Sequence, residues 1–76
     1  MNDFIEFFNS KANHYDWNLE IYYSSIADWT IDIGYKVTNS KHGETVIHIQ
    51  DCDMQLAFAK AQVALKEWLL ENEGGY

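Results

Sequence analysis

Residues 16–37 read DWNLEIYYSSIADWTIDIGYKV, and through them apolar and polar side chains alternate twice. In the first run Trp17, Leu19, Ile21 and Tyr23 share one side, and in the second Trp29, Ile31, Ile33, Tyr35 and Val37 do. A period of two is that of a strand with one buried face. The short SSIAD segment between the runs reads as a turn, which predicts strands over 17–24 and 29–37. The alternate positions Asn18, Glu20, Tyr22, Ser24, Thr30, Asp32, Gly34 and Lys36 are mostly polar, as expected of an antiparallel sheet with one wet face. An isolated glycine in a strand, Gly34, marks a bulge or a close backbone approach. A third strand is predicted over 44–50, ETVIHIQ, reached through TNSKHG with Gly43 in the turn. In it either Ile47 and Ile49 or Val46 and His48 can turn inward.

Two helical patterns flank these strands. Residues 3–12, DFIEFFNSKA, place Phe4, Ile5, Phe8 and Ala12 on one stripe with Phe7 at its edge, and Asn2 or Asp3 can cap the start. NHYD then reads as a turn. The second helix is predicted over 53–72, with Asp51 or Asp53 at its N-terminus and a Gly-Gly stop in the 73–76 tail. On it Met54, Ala57, Phe58, Ala61, Ala64, Leu65, Trp68 and Leu69 form one broad face. Leu56, Ala59, Val63 and Leu70 gather on nearly the opposite side. A helix that covers a sheet needs a single apolar face. The second stripe is therefore owed either to helix one or to another chain, and Leu56, Val63 and Leu70 are the candidate self-association residues of an expected homodimer. The fold class is α+β: a single domain over 1–76, in the order α-β-β-β-α, whose three-stranded antiparallel sheet is covered on one face by helices.

Composition narrows the function. Seventy-six residues with 47% hydrophobic and 16% aromatic content can fold, although so short a chain buries only roughly 60% of its unfolded surface. Twelve acidic residues face five lysines, no arginine occurs, and the net charge is −7. Nucleic-acid binders take most of their affinity from Lys and Arg on phosphates, so direct nucleic-acid binding is excluded. Anionic membranes repel the chain for the same reason. A basic surface on another protein attracts it. The lone Cys52 allows no intrachain disulfide. No apolar run nears the ~20 residues of a membrane span, and Met1-Asn2-Asp3 does not open a signal peptide. A cytoplasmic protein is expected.

The candidates for chemistry are weak. His48, Asp51, Cys52 and Asp53 are close in sequence, with His14 or His42 to complete a shell, but the paired ligand spacing of a structural zinc site is missing. Cys52 in a first helical turn is expected to pack as a small hydrophobe. A Cys52–His48 nucleophile pair has no oxyanion hole beside it, and Glu20 with Asp32 as an acid–base pair has no deep pocket to work in. No enzyme activity, metal or cofactor is expected.

The order helix, three strands, helix resembles that of double-stranded-RNA-binding domains, and AKAQVALKEWL is similar to their alanine-rich last helix. That family holds phosphates with lysines entering the helix, where this chain has Asp51 and Asp53, so the resemblance implies the fold and not RNA binding. IQDCDMQLAFAKAQVALKEWLLE, about a third of the chain, is also similar to the end of HicB-type antitoxin domains, with Ala57, Ala61 and Ala64 near Leu65 and Trp68. That resemblance implies a small acidic inhibitor of a basic, RNA-cleaving toxin. The short, acidic, aromatic-rich style is similar to that of phage and mobile-element proteins that block bacterial defence systems, anti-CRISPR proteins among them, which would place the chain in a bacterial host cell. The leading expectation is a non-enzymatic inhibitor that grips a basic protein by mimicking nucleic-acid charge, with Glu20, Tyr22, Asp28, Asp32 and Glu44 as contacts. The alternative from another class is a homo-oligomer that sequesters a nucleotide-type ligand between aromatic rings, with Lys36, Lys41 and Lys60 on its phosphates.

Overall fold

A computed structural model describes residues 3–26 and 28–75. Its elements are α1 (Asp3–Tyr15), β1 (Trp17–Ser24), β2 (Asp28–Tyr35), β3 (Thr45–Asp51) and α2 (Met54–Glu73). The strands form an antiparallel meander in the order β1-β2-β3, with both helices against one face, so the expected α-β-β-β-α domain is the one observed.

Alternation sets which side chains meet the helices. Ile31 lies between Ile21 and Ile49, and Ile33 between Leu19 and Ile47, which decides the ambiguity in β3 in favour of Ile47 and Ile49. The register slips between Ile33 and Gly34, so Gly34 does mark a bulge. A Cβ there would stand 3.3 Å from the Glu44 carbonyl oxygen, which also makes it the close approach that glycine permits. The slip lets Val46 be buried along with Ile47, although the two are neighbours in the strand.

The helical alanines have a packing reason. Ala57 and Ala61 are fully buried, as are Leu65 and Leu69, and short side chains let α2 settle closely on β3 and β2. α1 lies against α2 and β1 through rings, with Phe4 against Phe58 and Phe8 stacked on Trp17. Trp68 meets both Tyr15 and Trp17 edge-on. Such contacts add to the area the rings bury. α2 is capped at both ends: Asp53 accepts from the Leu56 N–H at 3.0 Å, and Gly74, at φ 79°, turns the chain so that the Gly75 N–H reaches the Leu69 carbonyl.

Several boundaries differ from expectation. α1 continues through Asn13, His14 and Tyr15, because the reversal is made by Asp16 alone, at φ 56°. β2 ends at Tyr35, since Lys36 donates its N–H to the Asp16 carbonyl rather than to a strand, and Val37 is left 78% exposed. Tyr23 and Met54, assigned to the core, are largely exposed at the edges of the helical cover. Cys52 precedes the helix and is exposed, not packed as a small hydrophobe. Capping by Asn2 and the position of Ala27 in the SSIAD turn lie outside the described residues. No helix among the described residues is long and apolar enough to cross a membrane.

Candidate protein-docking face

The helices leave the second face of the sheet uncovered, and its residues are the even positions of β1 and β2. Glu20 stands directly opposite Asp32, and Asp32 directly opposite His48, so one row crosses all three strands. Side chains so placed have Cβ atoms about 5 Å apart, and like charges there repel. Asp32 is relieved on one side only, where His48 Nδ1 donates to its Oδ1. Glu20 has no such cation opposite it.

The β2–β3 loop, residues 36–44, closes one end of this row. It is wound on itself: Asn39 Oδ1 accepts from the Lys41 N–H at 2.8 Å, and the Lys36, Asn39 and Lys41 carbonyls accept from Asn39, His42 and Glu44. Asn39 Nδ2 also donates to the Asp16 carboxylate, which ties the loop to the α1–β1 corner. Held in this way, His42 and Glu44 overhang the sheet. Together with Asn18, Glu20, Asp32 and His48 they line an open, polar depression of about 430 Å³.

The expected contact residues therefore divide. Glu20, Asp32 and Glu44 converge on the depression. Tyr22, 46% exposed, extends the same face one step along β1. Asp28 lies at the far end of the face, half-buried and at φ 55°, where it opens β2 opposite Ser24. Between Tyr22 and Gln50, Thr30 is fully buried although it belongs to this face, while the two residues on either side of it are exposed. His42 and His48 were not among the expected contacts. The parity that turns Ile47 and Ile49 inward could have placed His48 outward, but no spacing rule places His42.

The depression is open to solvent, and Thr45 joins the Asp32–His48 pair in its lining. The Cys52 thiol lies instead near Asp51 and Lys60 at the start of α2. There Asp51 accepts from Lys60 and from the Asp53 N–H, and these bonds, the lysine's first, hold its carboxyl below the usual carboxylate range. Among the described residues no three His, Cys, Asp or Glu side chains converge as a metal shell. Lys36 and Lys60, cast as phosphate ligands, line different depressions.

α1 does not cover the second stripe of α2. Leu56, Val63 and Leu70 are 53%, 57% and 54% exposed. No protein-family model, characterised protein or solved structure matches this chain.

Proposed function

We propose that this chain is a non-enzymatic inhibitor that lays its open sheet face on a basic surface of another protein, where that protein would otherwise hold nucleic acid. One observation carries the reading: Glu20 and Asp32 oppose each other across β1 and β2, with Glu44 beside them, around a depression that nothing in the chain fills. A folded chain retains such repulsion at a cost, and a lysine- or arginine-rich partner removes it. The net charge of −7 steers encounter with the same kind of surface. Tyr22 supplies a ring of the kind that anchors interfaces. Phage anti-defence proteins, anti-CRISPR proteins among them, and HicB-like antitoxins are both instances of this chemistry, because each blocks a basic nucleic-acid-handling protein. The nucleotide-sequestering alternative has less support, since Lys36 and Lys60 line different depressions.

The test is affinity capture from bacterial lysate with wild type, Glu20→Lys and Glu44→Lys, eluted with salt and, separately, with a duplex oligonucleotide. The expected catch is a basic nucleic-acid-binding protein. It should leave between about 0.1 M and about 1 M salt, where the screening length falls from about 10 Å to about 3 Å. It should also be displaced by the duplex and lost in both variants. A catch indifferent to salt and to both reversals sinks the proposal.

A further inference from the structure

We infer that the exposed crest of α2 pairs with the same crest of a second copy of this chain, the two helices running antiparallel about a two-fold axis at Val63. This does not rest on the docking-face reading, because the crest points away from the sheet. At 100° per residue Leu56 and Leu70 lie within about 20° of Val63 around the helix, and the buried Ala61 and Leu65 lie on the far side. Leu56 and Leu70 are also equidistant from Val63, seven residues before and after it.

The crest is complementary to itself. A two-fold axis through Val63, perpendicular to the helix, sets Leu56 against Leu70 of the second copy and Val63 against Val63. It also superposes each flank on its own copy. One flank carries Lys60 three residues before the axis and Glu67 four residues after it. Reversal therefore brings Lys60 within about one residue rise, roughly 1.5 Å along the axis, of Glu67 of the second copy, twice per dimer. Lys60 already donates to Asp51, and an ammonium has two further protons to give. A parallel pairing would instead set this flank against the opposite one, which carries Gln62 and Lys66, and would leave Lys60 and Glu67 of the two copies on opposite sides of the interface. Beside Val63 a groove of about 350 Å³ includes the short side chains of Ala59 and Ala64, which allows close approach.

Size fixes the strength. A helix of 20 residues offers a strip about 30 Å long and about 10 Å wide, so two bury roughly 600 Å² in all. That is about half the lower limit of a standard stable interface, roughly 1,200 Å², and places the pair among weak, transient ones. Each protomer carries −7, and the exposed Lys60–Glu67 pairs are individually weak, so salt should favour pairing by screening the protomers' repulsion.

Light scattering on wild type across concentration, with Val63→Glu and Glu67→Lys alongside, reads the pairing. Wild type should move from 8.9 kDa toward twice that as concentration rises, and further with salt. Both variants should stay monomeric with unchanged circular dichroism, and Lys60→Glu added to Glu67→Lys should restore the dimer. Direction is read by oxidising a mixture of Leu56→Cys and Leu70→Cys chains, each also carrying Cys52→Ser. The antiparallel pair gives the mixed 56–70 crosslink. A wild type monomeric at every concentration, a dimer that survives Val63→Glu, or homogeneous 56–56 crosslinks would each overturn the inference, the first leaving the crest to a different protein.

Discussion

The rings of Tyr15 and Trp17 lie stacked, with centroids 4.6 Å apart and planes 16° from parallel, across the one residue that turns α1 into β1. That residue, Asp16, sits at φ 56°, a conformation most side chains adopt at a cost of roughly 1–2 kcal/mol and aspartate or asparagine more cheaply. Its carbonyl accepts from the Lys36 N–H at 2.8 Å and its carboxylate from Asn39, so the corner that stacks two rings also anchors the loop overhanging the acidic face.

Asp16→Ala keeps the turn but loses both the tolerance for φ 56° and the bond to Asn39. A loss of about 1 kcal/mol is expected, read as a lower urea midpoint with an unchanged slope. Asp16→Asn, which keeps an acceptor oxygen, should stay within about 0.5 kcal/mol of wild type. Equal losses in the two variants would show that the corner does not depend on this side chain.

Trp17 is 1% exposed, and its Nε1–H meets no acceptor among the described residues. An unpaired buried donor costs roughly 1–3 kcal/mol, so the indole packs well at a penalty. Trp17→Ala should lose about 3–5 kcal/mol, most of the stability of a domain this small. Trp17→Phe deletes the unpaired donor along with part of the ring and should lose less than half as much. A phenylalanine as damaging as alanine would mean that the indole nitrogen carries no penalty.

The strands were legible because their alternation is strict and their inward residues are large: Trp17, Ile31 and Ile33 announce a buried face by themselves. The crest of α2 was legible for a related reason, since Leu56, Val63 and Leu70 recur every seventh residue where a covering helix needs only one apolar side. What escaped was set by backbone detail. Asp16 reverses the chain in one residue instead of four, and nothing in NHYD distinguishes the two. The bulge at Gly34 was foreseeable, but not that it would bury Val46 beside Ile47. The candidate site was half legible: strand parity placed Glu20, Tyr22 and Asp32 together, whereas Glu44 and His42 reach it through a loop whose hydrogen bonds no composition rule predicts. Asp28 shares the parity but stands at the hairpin end, a separation that depends on strand length and not on spacing.

Two aspartates begin α2 in different ways. Asp53 is the cap, and Asp53→Ala should cost about 1 kcal/mol by leaving the Leu56 N–H unpaired. Asp51 acts through its charge: the hydrogen bond from Lys60 lowers its carboxyl, and Asp51 in turn raises the Lys60 ammonium. A carboxyl lowered on folding contributes stability that is present above its unfolded value, near 3.8, and is lost as pH falls through the folded one. The raised ammonium contributes below its unfolded value, near 10.5, and that contribution is lost as pH rises through the folded one. Asp51→Asn should therefore be less stable than wild type at neutral pH and converge on it in acid and in strong base. Urea midpoints measured across pH test this; a constant gap down to pH about 2 would assign the effect to something other than ionisation.

Glu20 separates stability from binding. In the free chain it faces Asp32 with no cation opposite, so Glu20→Lys exchanges a repulsive cross-strand pair for an attractive one. Exposure and salt limit the gain to about 0.5 kcal/mol, or a rise in Tm of roughly 2–4 °C. Asp32→Asn relieves the same repulsion but weakens the bond that His48 makes, so it should gain less than Glu20→Lys. If the acidic row is kept for a basic partner, Glu20→Lys should melt higher than wild type and yet lose that partner. Melting curves in low salt decide the first half without any partner in hand. A Glu20→Lys chain that melts lower than wild type would mean that Glu20 stabilises the free fold, and its place beside Asp32 would no longer argue for a surface waiting to be neutralised.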